Sequence, residues 1–586
     1  MLVASILGCI LVLFAGVFFV FGLLTLLISA GDSEVKAIPN RAILQITFEK
    51  PLFEQSSDNP FSKAVPYGLY KDDGYGYFDM VSAIDRAAFD DRIQMIYLNT
   101  NFLTAGISHI GELREALKRF RASGKAIVAY SDSYSQAGYY LASVADKVYL
   151  NPHGEIDLRG FAISVRYYKG LMDELGVAAQ IIRHGKYKSG GESFTQQQMN
   201  AEERTQLTLF LESAWSRWAD DISSDRHLNL QIVNKVAEQT GCSNSAEAVE
   251  LEFIDEAFYK DELIAHLCKL QDVKSEKQLR LVNMQSYMLH KPLARAKEKI
   301  AVLYADGTIY HGKGTQNIMS ENYIRTIRQL RADSSIKAVV LRINSSGGDA
   351  RAAAVIHREL KLLNEIKPLI VSMGDNAASG GYWMASAGAH ILGTPTTLTG
   401  SIGAYAMTWN GQKGMNKWLK VNVETVRTHP SSDMGSIYRP LNSSEMARLQ
   451  KSIDQTYHDF VSTVSQNRSI PYNETDALAQ GRIWSGEDAR ENGLIDQTGG
   501  LYDAIQYAAK SAEITEYQTV EYPSVSTFWE RIKHTVSTSV QSRTHPRLRP
   551  IGPDPQKWAE EIENTIRKDS ERGIQTKVPF IYTLSY

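Results

Sequence analysis

The stretches I93-Q-M-I-Y-L-N-T-N101 and I336-K-A-V-V-L-R-I-N344 share one pattern and lie 243 residues apart, counted from Ile93 to Ile336. The same displacement carries A137-G-Y-Y-L-A-S143 onto G380-G-Y-W-M-A-S386, and Pro152 onto Pro395. A register held from about residue 79 to residue 160 marks a duplicated domain, with a period far too long for a solenoid. Each opening stretch is a short apolar run rich in β-branched residues, as expected of a strand buried on both faces.

Working outward, each copy reads alike. Strands are expected over 42–48 and 299–304, then amphipathic helices over about 77–89 and 321–332. After the quoted strands come helices over 109–122 and 352–366, strands over 126–130 and 369–373, a turn of small residues and a further helix. A long helix follows in each copy, about 201–224 and 443–467, the second with Ser443 or Ser444 as its N-cap. Trp215 and Trp218 read as packing residues. Strands alternating with helices over short connections imply an α/β fold with largely parallel strands. The expected division is repeats at 40–270 and 299–510, a polar connector at 271–298 and a C-terminal segment at 511–586. That segment holds a stretch rich in Pro and Arg (Arg543, Arg547, Arg549) and a short amphipathic helix with Trp558, Ile562 and Ile566 on one face.

At 586 residues, with 43% hydrophobic and 22% charged residues, the chain is globular and needs at least two domains. Its 63 basic and 66 acidic residues give a net charge of −3, which offers no argument for a nucleic-acid partner. Three cysteines make neither a disulfide framework nor a zinc pattern; Cys242 and Cys268 are read as two thiols, or as a pair if exported. Neither a metal site nor a cofactor is expected. Met1 to Ala30 carries no charged side chain and is long enough for a transmembrane anchor (1–30). A cleaved leader fits less well, because no basic region precedes the apolar run.

The candidate chemistry lies in V371-S-M-G-D-N-A-A-S-G-G-Y-W383, where Ser379 follows a strand and precedes two glycines. The first copy has Gln136 at the place of Ser379, and Thr104-Ala105 at the place of Gly347-Gly348. Only the second copy thus joins a hydroxyl to a glycine turn with free backbone amides, the parts needed for acyl transfer. The hydroxyl needs a base. His390 reads as structural, His429 sits in a polar loop, and Asp375 is badly placed to orient either. A lysine is the alternative: R183-H-G-K-Y-K188 of the first copy offers Lys186 or Lys188, whereas the matching R427-T-H-P-S-S-D-M-G-S436 has none. One site assembled across both copies accounts for this asymmetry. Keeping such a lysine neutral costs about 1.4 kcal/mol for each pH unit below ~10.4, which an apolar, buried setting can impose.

Several motifs in order resemble one family. They are S133-Y-S-Q-A-G-Y-Y-L-A-S143, Y187-K-S189, L341-R-I-N-S-S-G-G348, A377-A-S-G-G-Y-W383, T397-L-T-G-S-I-G403 and G481-R-I-W-S-G-E-D-A489. The chain resembles the long form of the signal peptide peptidase A (protease IV) family of bacterial membrane-anchored serine proteases. The resemblance implies duplicated crotonase/Clp-protease-like domains and a Ser–Lys dyad, with Ser379 as nucleophile and Lys188 as general base. It further implies Gly380, Gly347 and Gly348 as the oxyanion region and Ser401 as a residue orienting the lysine. Ser346 stands where family members often have proline. Hydrophobic peptides, notably signal peptides left in the membrane, are the implied substrates. A homotetramer in the bacterial inner membrane, with its catalytic domains on the periplasmic side, is the implied setting. Two other readings share this fold: a non-catalytic scaffold, and a crotonase-like enzyme acting on acyl thioesters. Neither explains a serine in one copy matched to a lysine in the other.

Overall fold

A computed structural model describes Gly16 and residues 37–55, 74–290, 296–314 and 317–523, together with the backbone of 575–577 and 583–585. Its frame is a pair of sheets, one per repeat, the first parallel and the second parallel but for the antiparallel pairing of Leu398–Gly400 with Ile483–Ser485. In the first, the strands run in the order Glu256–Ala257, Lys147–Leu150, Ala126–Ser131, Ile93–Asn99, Ala42–Thr47 and Leu281–Asn283, all parallel. In the second, Gln518–Tyr522, Lys299–Asp306, Ile336–Ser345 and Leu369–Ala378 follow one another in parallel. Leu369–Ala378 then splits its far edge, pairing with His390–Gly393 near its start and with Leu398–Gly400 near its end. The split frees the last residues of that strand to approach a different neighbour, and Ser379 comes directly after them.

The strands form because both faces are covered: Ile93, Ile96 and Leu98, and likewise Val339, Leu341 and Ile343, are buried. The expected helices are present as Tyr77–Phe89, Ile107–Ala122, Ser320–Ala332 and Ala350–Asn364. The two long helices are Ala201–Arg226 and Ser443–Arg468, each 26 residues. The second is capped by Asn442, not by Ser443 or Ser444. The Asn442 side chain accepts from Glu445 N, and the Glu445 carboxylate accepts from Asn442 N, a reciprocal pair that a cap one residue later would lose. Trp218 is fully buried and stacks on Tyr140 at 3.8 Å, while Trp215 Nε1 donates to Asn234. Cys242 and Cys268 are free, buried thiols.

Two segments expected outside the repeats belong to the sheets. The connector supplies the edge strand Leu281–Asn283 and the helix Met284–Leu289, and the C-terminal segment supplies Gln518–Tyr522. Each adds a parallel strand beside the opening strand of its repeat, covering an edge that would otherwise expose backbone groups. The expected anchor (apart from Gly16) and the helix carrying Trp558, Ile562 and Ile566 lie outside the described residues. Among the described residues no helix is long and apolar enough to cross a membrane.

The repeats are joined by more than chain continuity. Ala178–His184 of the first pairs antiparallel with Ala404–Asn410 of the second along seven residues, from Ala404↔His184 to Asn410↔Ala178. One core cluster also contains residues of both sheets, Ile46 and Leu98 with Val302, Val340 and Ile370.

Candidate active site

Ser379 leaves strand Leu369–Ala378 with φ +57° and ψ −117°, and the helix Gly380–Ala385 begins at the next residue. A serine in that region of backbone space is strained, at a cost on the order of 1–3 kcal/mol, and must be held there by its surroundings. Its N–H donates to Gly400 O at 2.8 Å and its carbonyl accepts from Trp383 N at 2.9 Å. Gly381 has no room for a side chain, since a Cβ would lie 2.7 Å from Ser345 O. Helix Gly380–Ala385 packs on Gly347–Asp349, so Gly380 and the glycine turn adjoin. In that turn Gly347 has φ +99° and its N–H donates to Ser345 Oγ at 3.1 Å, while a Cβ on Gly348 would meet Ile309 O at 2.1 Å. The hydroxyl of Ser345 thus braces a turn that carries Ser346 at its centre.

Lys188 arrives from the other repeat, in the loop after Ala178–His184. Tyr187 N donates to Gln480 O, and Lys188 O accepts from Arg183. Its Nζ lies 2.7 Å from Ser379 Oγ, 2.8 Å from Ser401 O and 2.9 Å from Ser401 Oγ. All three residues are fully buried. Burial pushes the Lys188 amine well below its ordinary pKa, and no carboxylate offsets it. A neutral amine has two N–H groups and one lone pair. The Ser401 carbonyl can only accept, and Ser401 Oγ takes the second N–H, which turns the lone pair toward the Ser379 hydroxyl. Ser401, itself at φ +50°, therefore orients the amine, and its N–H is tied to Arg482 O at 2.6 Å. Lys186, by contrast, is exposed with its Nζ over the Tyr187 ring.

The histidines considered as bases are elsewhere. His390 stacks on Tyr507 and faces Asp496 at 3.8 Å, and His429 is exposed. Gln136, the counterpart of Ser379, is spent on backbone: its Oε1 accepts from Arg159 N and Gly160 N.

Two features escaped the sequence reading. The first is the role of Gly481 in G481-R-I-W-S-G. It has φ +78°, and a Cβ there would lie 2.5 Å from Lys188 N and 2.6 Å from Lys188 Cβ, so this glycine presses the lysine into place. Gly481→Ala is expected to reduce kcat/KM by about tenfold or more, the effect of roughly 1.4 kcal/mol lost from the transition state. Unchanged turnover would show that Lys188 needs no such support. The second is a buried ion network between the repeats. Arg342 Nε donates to Glu54 at 2.9 Å, and its Nη2 lies 2.9 Å from Glu112, an ion pair too bent for a hydrogen bond. His109 sits between Glu54 at 2.9 Å and Asp375 at 3.3 Å. Burial alone would lower His109, but the Asp375 and Glu54 carboxylates outweigh it and push the imidazole up to about 10. Burial would likewise raise Glu54, yet Arg342 and His109 hold it down to about 2. Arg342 lies on the strand leading to the glycine turn, and Asp375 on the strand leading to Ser379.

A serine backed by a buried lysine, on parallel α/β sheets with an adjacent glycine turn, defines a serine protease of the Clp-like fold class, and the Clp protease family model matches residues 290–397. The chain belongs to peptidase family S49, whose model matches residues 119–274 and 361–515. Protease 4 of Salmonella typhi is 32% identical over 84% of this chain and 81% of its own. Protease 4 of Haemophilus influenzae is 32% identical over 79% of this chain and 77% of its own. The chloroplastic serine protease SPPA of Arabidopsis thaliana is 34% identical over 73% of this chain and 64% of its own.

Proposed function

We propose that this serine protease is a membrane-anchored endopeptidase that cleaves hydrophobic peptides, notably signal peptides left after precursor processing, through a Ser379–Lys188 dyad. The observation that carries the reading is the 2.7 Å contact between a buried, uncompensated lysine and a serine held in a strained turn. In the acylation step Ser379 Oγ attacks the scissile carbonyl carbon while its proton passes to Lys188 Nζ. The carbonyl oxygen takes up the negative charge and is stabilised by the amides of Gly380 and the Gly347–Gly348 turn, the Gly347 N–H exchanging its Ser345 Oγ acceptor for the oxyanion. Collapse expels the amine, which takes the proton back from Lys188. Water then gives a proton to Lys188 and attacks the ester carbon; collapse breaks the bond to Ser379 Oγ, which takes that proton back from Lys188 as the acid leaves.

Substrate class is supported by the wall beside the nucleophile. Ala378 packs with Leu207, Phe210, Leu398 and Ile483, and half-buried Ile163 and Val165 lie against that cluster. The anchor at 1–30 would hold the site near substrates that stay in the bilayer, on the periplasmic face of the inner membrane.

The repeat also supports a homo-oligomeric ring such as the tetramer. Within the chain, Ala178–His184 pairs with Ala404–Asn410. Arg183 matches Arg427 at an offset of 244 residues, so the counterpart of Ala178–His184 is 422–428, exposed throughout; at 243 residues the counterpart of Ala404–Asn410 is 161–167. Pairing 422–428 of one copy with 161–167 of the next repeats the same contact head to tail, the kind of interface from which a ring is built where the rotation between copies closes.

A fluorophosphonate probe is expected to label the purified protein at Ser379 only, and Ser379→Ala and Lys188→Ala, both folded by circular dichroism, are expected to abolish labelling. Labelling that survives either substitution would sink the dyad. A signal peptide reconstituted in vesicles is expected to be cleaved faster than a polar peptide of equal length; equal rates would remove the substrate assignment.

A further inference from the structure

Lys188 is carried by a loop, and an arginine at the end of the preceding strand closes that loop. Arg183, on Ala178–His184, donates through Nη1 to Lys188 O at 3.2 Å and also to the Glu192 carboxylate. Glu192 is buried, and its two oxygens accept from Asn200 Nδ2 at 3.0 and 2.8 Å. The same Asn200 caps the helix Ala201–Arg226 by accepting from Glu203 N at 2.7 Å. On the other side of the lysine, Tyr187 O accepts from Gln206 Nε2 of that helix at 3.2 Å. The peptide groups flanking the Lys188 Cα are thus both fastened, one by Gln206 and the other by Arg183.

This fastening bears on the chemistry. A lysine stem is long and flexible, so where it starts decides whether Nζ meets Ser379 Oγ at 2.7 Å. A misplacement on the order of an ångström costs about a hundredfold in rate. The pair also sets the charge near the base: Arg183 brings a cation and Glu192 an anion, which together leave the field at the amine nearly balanced. Glu203 stands close by with its carboxyl accepting from Tyr167 at 2.8 Å; burial, and then the charge of Glu192, hold it up to about 7 against Tyr167 and Arg183.

We infer that Arg183 is a positioning residue for the general base: its bonds to Lys188 O and Glu192 place the lysine stem, and its pairing with Glu192 keeps the charge around the amine balanced. The inference rests on the reading of Lys188 as the base, through which Arg183 acts.

The test is the pH dependence of fluorophosphonate labelling at Ser379, with kcat and KM on a hydrophobic peptide, for the natural protein, Arg183→Gln, Arg183→Lys and Glu192→Gln, each checked for folding by circular dichroism. Labelling rises with pH as Lys188 loses its proton. Arg183→Gln leaves the Glu192 anion unbalanced, which favours protonated Lys188, so the midpoint of the rise is expected to move up by about half a pH unit or more. Glu192→Gln leaves the Arg183 cation unbalanced, and its midpoint is expected to move down. Arg183→Lys keeps the charge but not the guanidinium geometry, so its midpoint is expected to stay while kcat falls. Both Arg183 variants are expected to lower kcat by about tenfold or more, with KM within about twofold. The other titratable groups around the loop, Lys186, Glu203, Tyr167, Arg482 and the His184–Asp454 pair, are common to all four proteins. Midpoints that move the same way in Arg183→Gln and Glu192→Gln, or that stay still in both, overturn the inference, because a merely structural strut lowers kcat without opposite shifts. If Arg183→Gln does not fold, the other two variants decide: a downward midpoint in Glu192→Gln with none in Arg183→Lys is expected, and no shift in either overturns the inference. Lys188→Ala separates the two failures. Labelling abolished in Lys188→Ala, beside unmoved profiles in the Arg183 and Glu192 variants, refutes Arg183 alone, whereas Lys188→Ala labelled at the natural rate refutes the base and takes the inference down with it.

Discussion

Lys188→Met is expected to lower kcat/KM by at least about a thousandfold, the range associated with losing a positioned base. It is also expected to change how stability depends on pH. The Lys188 amine is fully buried beside two serines with no countercharge, which holds its folded pKa well below the ordinary value. In the unfolded chain it titrates near ~10.4. Between those two values the unfolded state binds the extra proton, so stability of the natural protein climbs as pH rises, by about 1.4 kcal/mol per pH unit, and levels off above ~10.4. Methionine fills nearly the same space and carries no proton. Its loss of the bonds to Ser379 and Ser401 costs stability, but by an amount independent of pH at this site. Urea unfolding of both proteins from pH 6 to pH 10 therefore yields a difference that grows in favour of the natural protein as pH rises. Parallel curves would mean that Lys188 keeps its proton in the fold and cannot accept one from Ser379. The same titration sets the activity profile: turnover rises with pH as Lys188 becomes neutral.

What could be read in advance follows from where the information resides. Ile93–Asn99 and Ile336–Ser345 announce themselves because a strand buried on both faces needs an unbroken apolar run. The meeting of Lys188 with Ser379 was legible in part through asymmetry, since only the second copy carries the serine and only the first a lysine in the matching loop, while the choice of Lys188 over Lys186 came from the family resemblance. The cap at Asn442 was decidable from sequence, because only that register places Glu445 three residues into the helix. Other features leave no local trace. Glu54 and Arg342 are 288 residues apart, and nothing around either marks a buried partner. Gly481 looks like any loop glycine until Lys188 is placed against it. Leu281–Asn283 and Gln518–Tyr522 are too short and too polar to be told from linker, and only a vacant sheet edge recruits them.

Arg342→Met is expected to destabilise the chain by about 3–5 kcal/mol, the cost of breaking a buried charge network from one side. The guanidinium is the cation shared by Glu54 and Glu112, and it also donates to Ser372 Oγ and Met373 O within its own repeat. Without it, Glu54 keeps only His109, and Glu112 keeps the Tyr77 hydroxyl and Leu501 N. The pH dependence identifies the mechanism. Glu54 has a folded pKa of about 2 against an ordinary 4.5, so its contribution is complete above 4.5 and disappears as pH falls toward 2. The loss caused by Arg342→Met should therefore shrink on acidification through that window. His109, pushed up to about 10 from 6.5, contributes fully below 6.5 and fades as pH rises toward 10. Removing Arg342 leaves His109 facing Glu54 and Asp375, so the alkaline loss of stability should persist in the variant. A constant deficit from pH 3 to pH 7 would assign the effect to lost packing against Tyr77 instead. Because Arg342 lies just before the glycine turn and Asp375 just before Ser379, the network ties both strand ends to the repeat that supplies Lys188. A folded variant at low temperature should accordingly lose kcat and fluorophosphonate labelling together, since both strand ends are released.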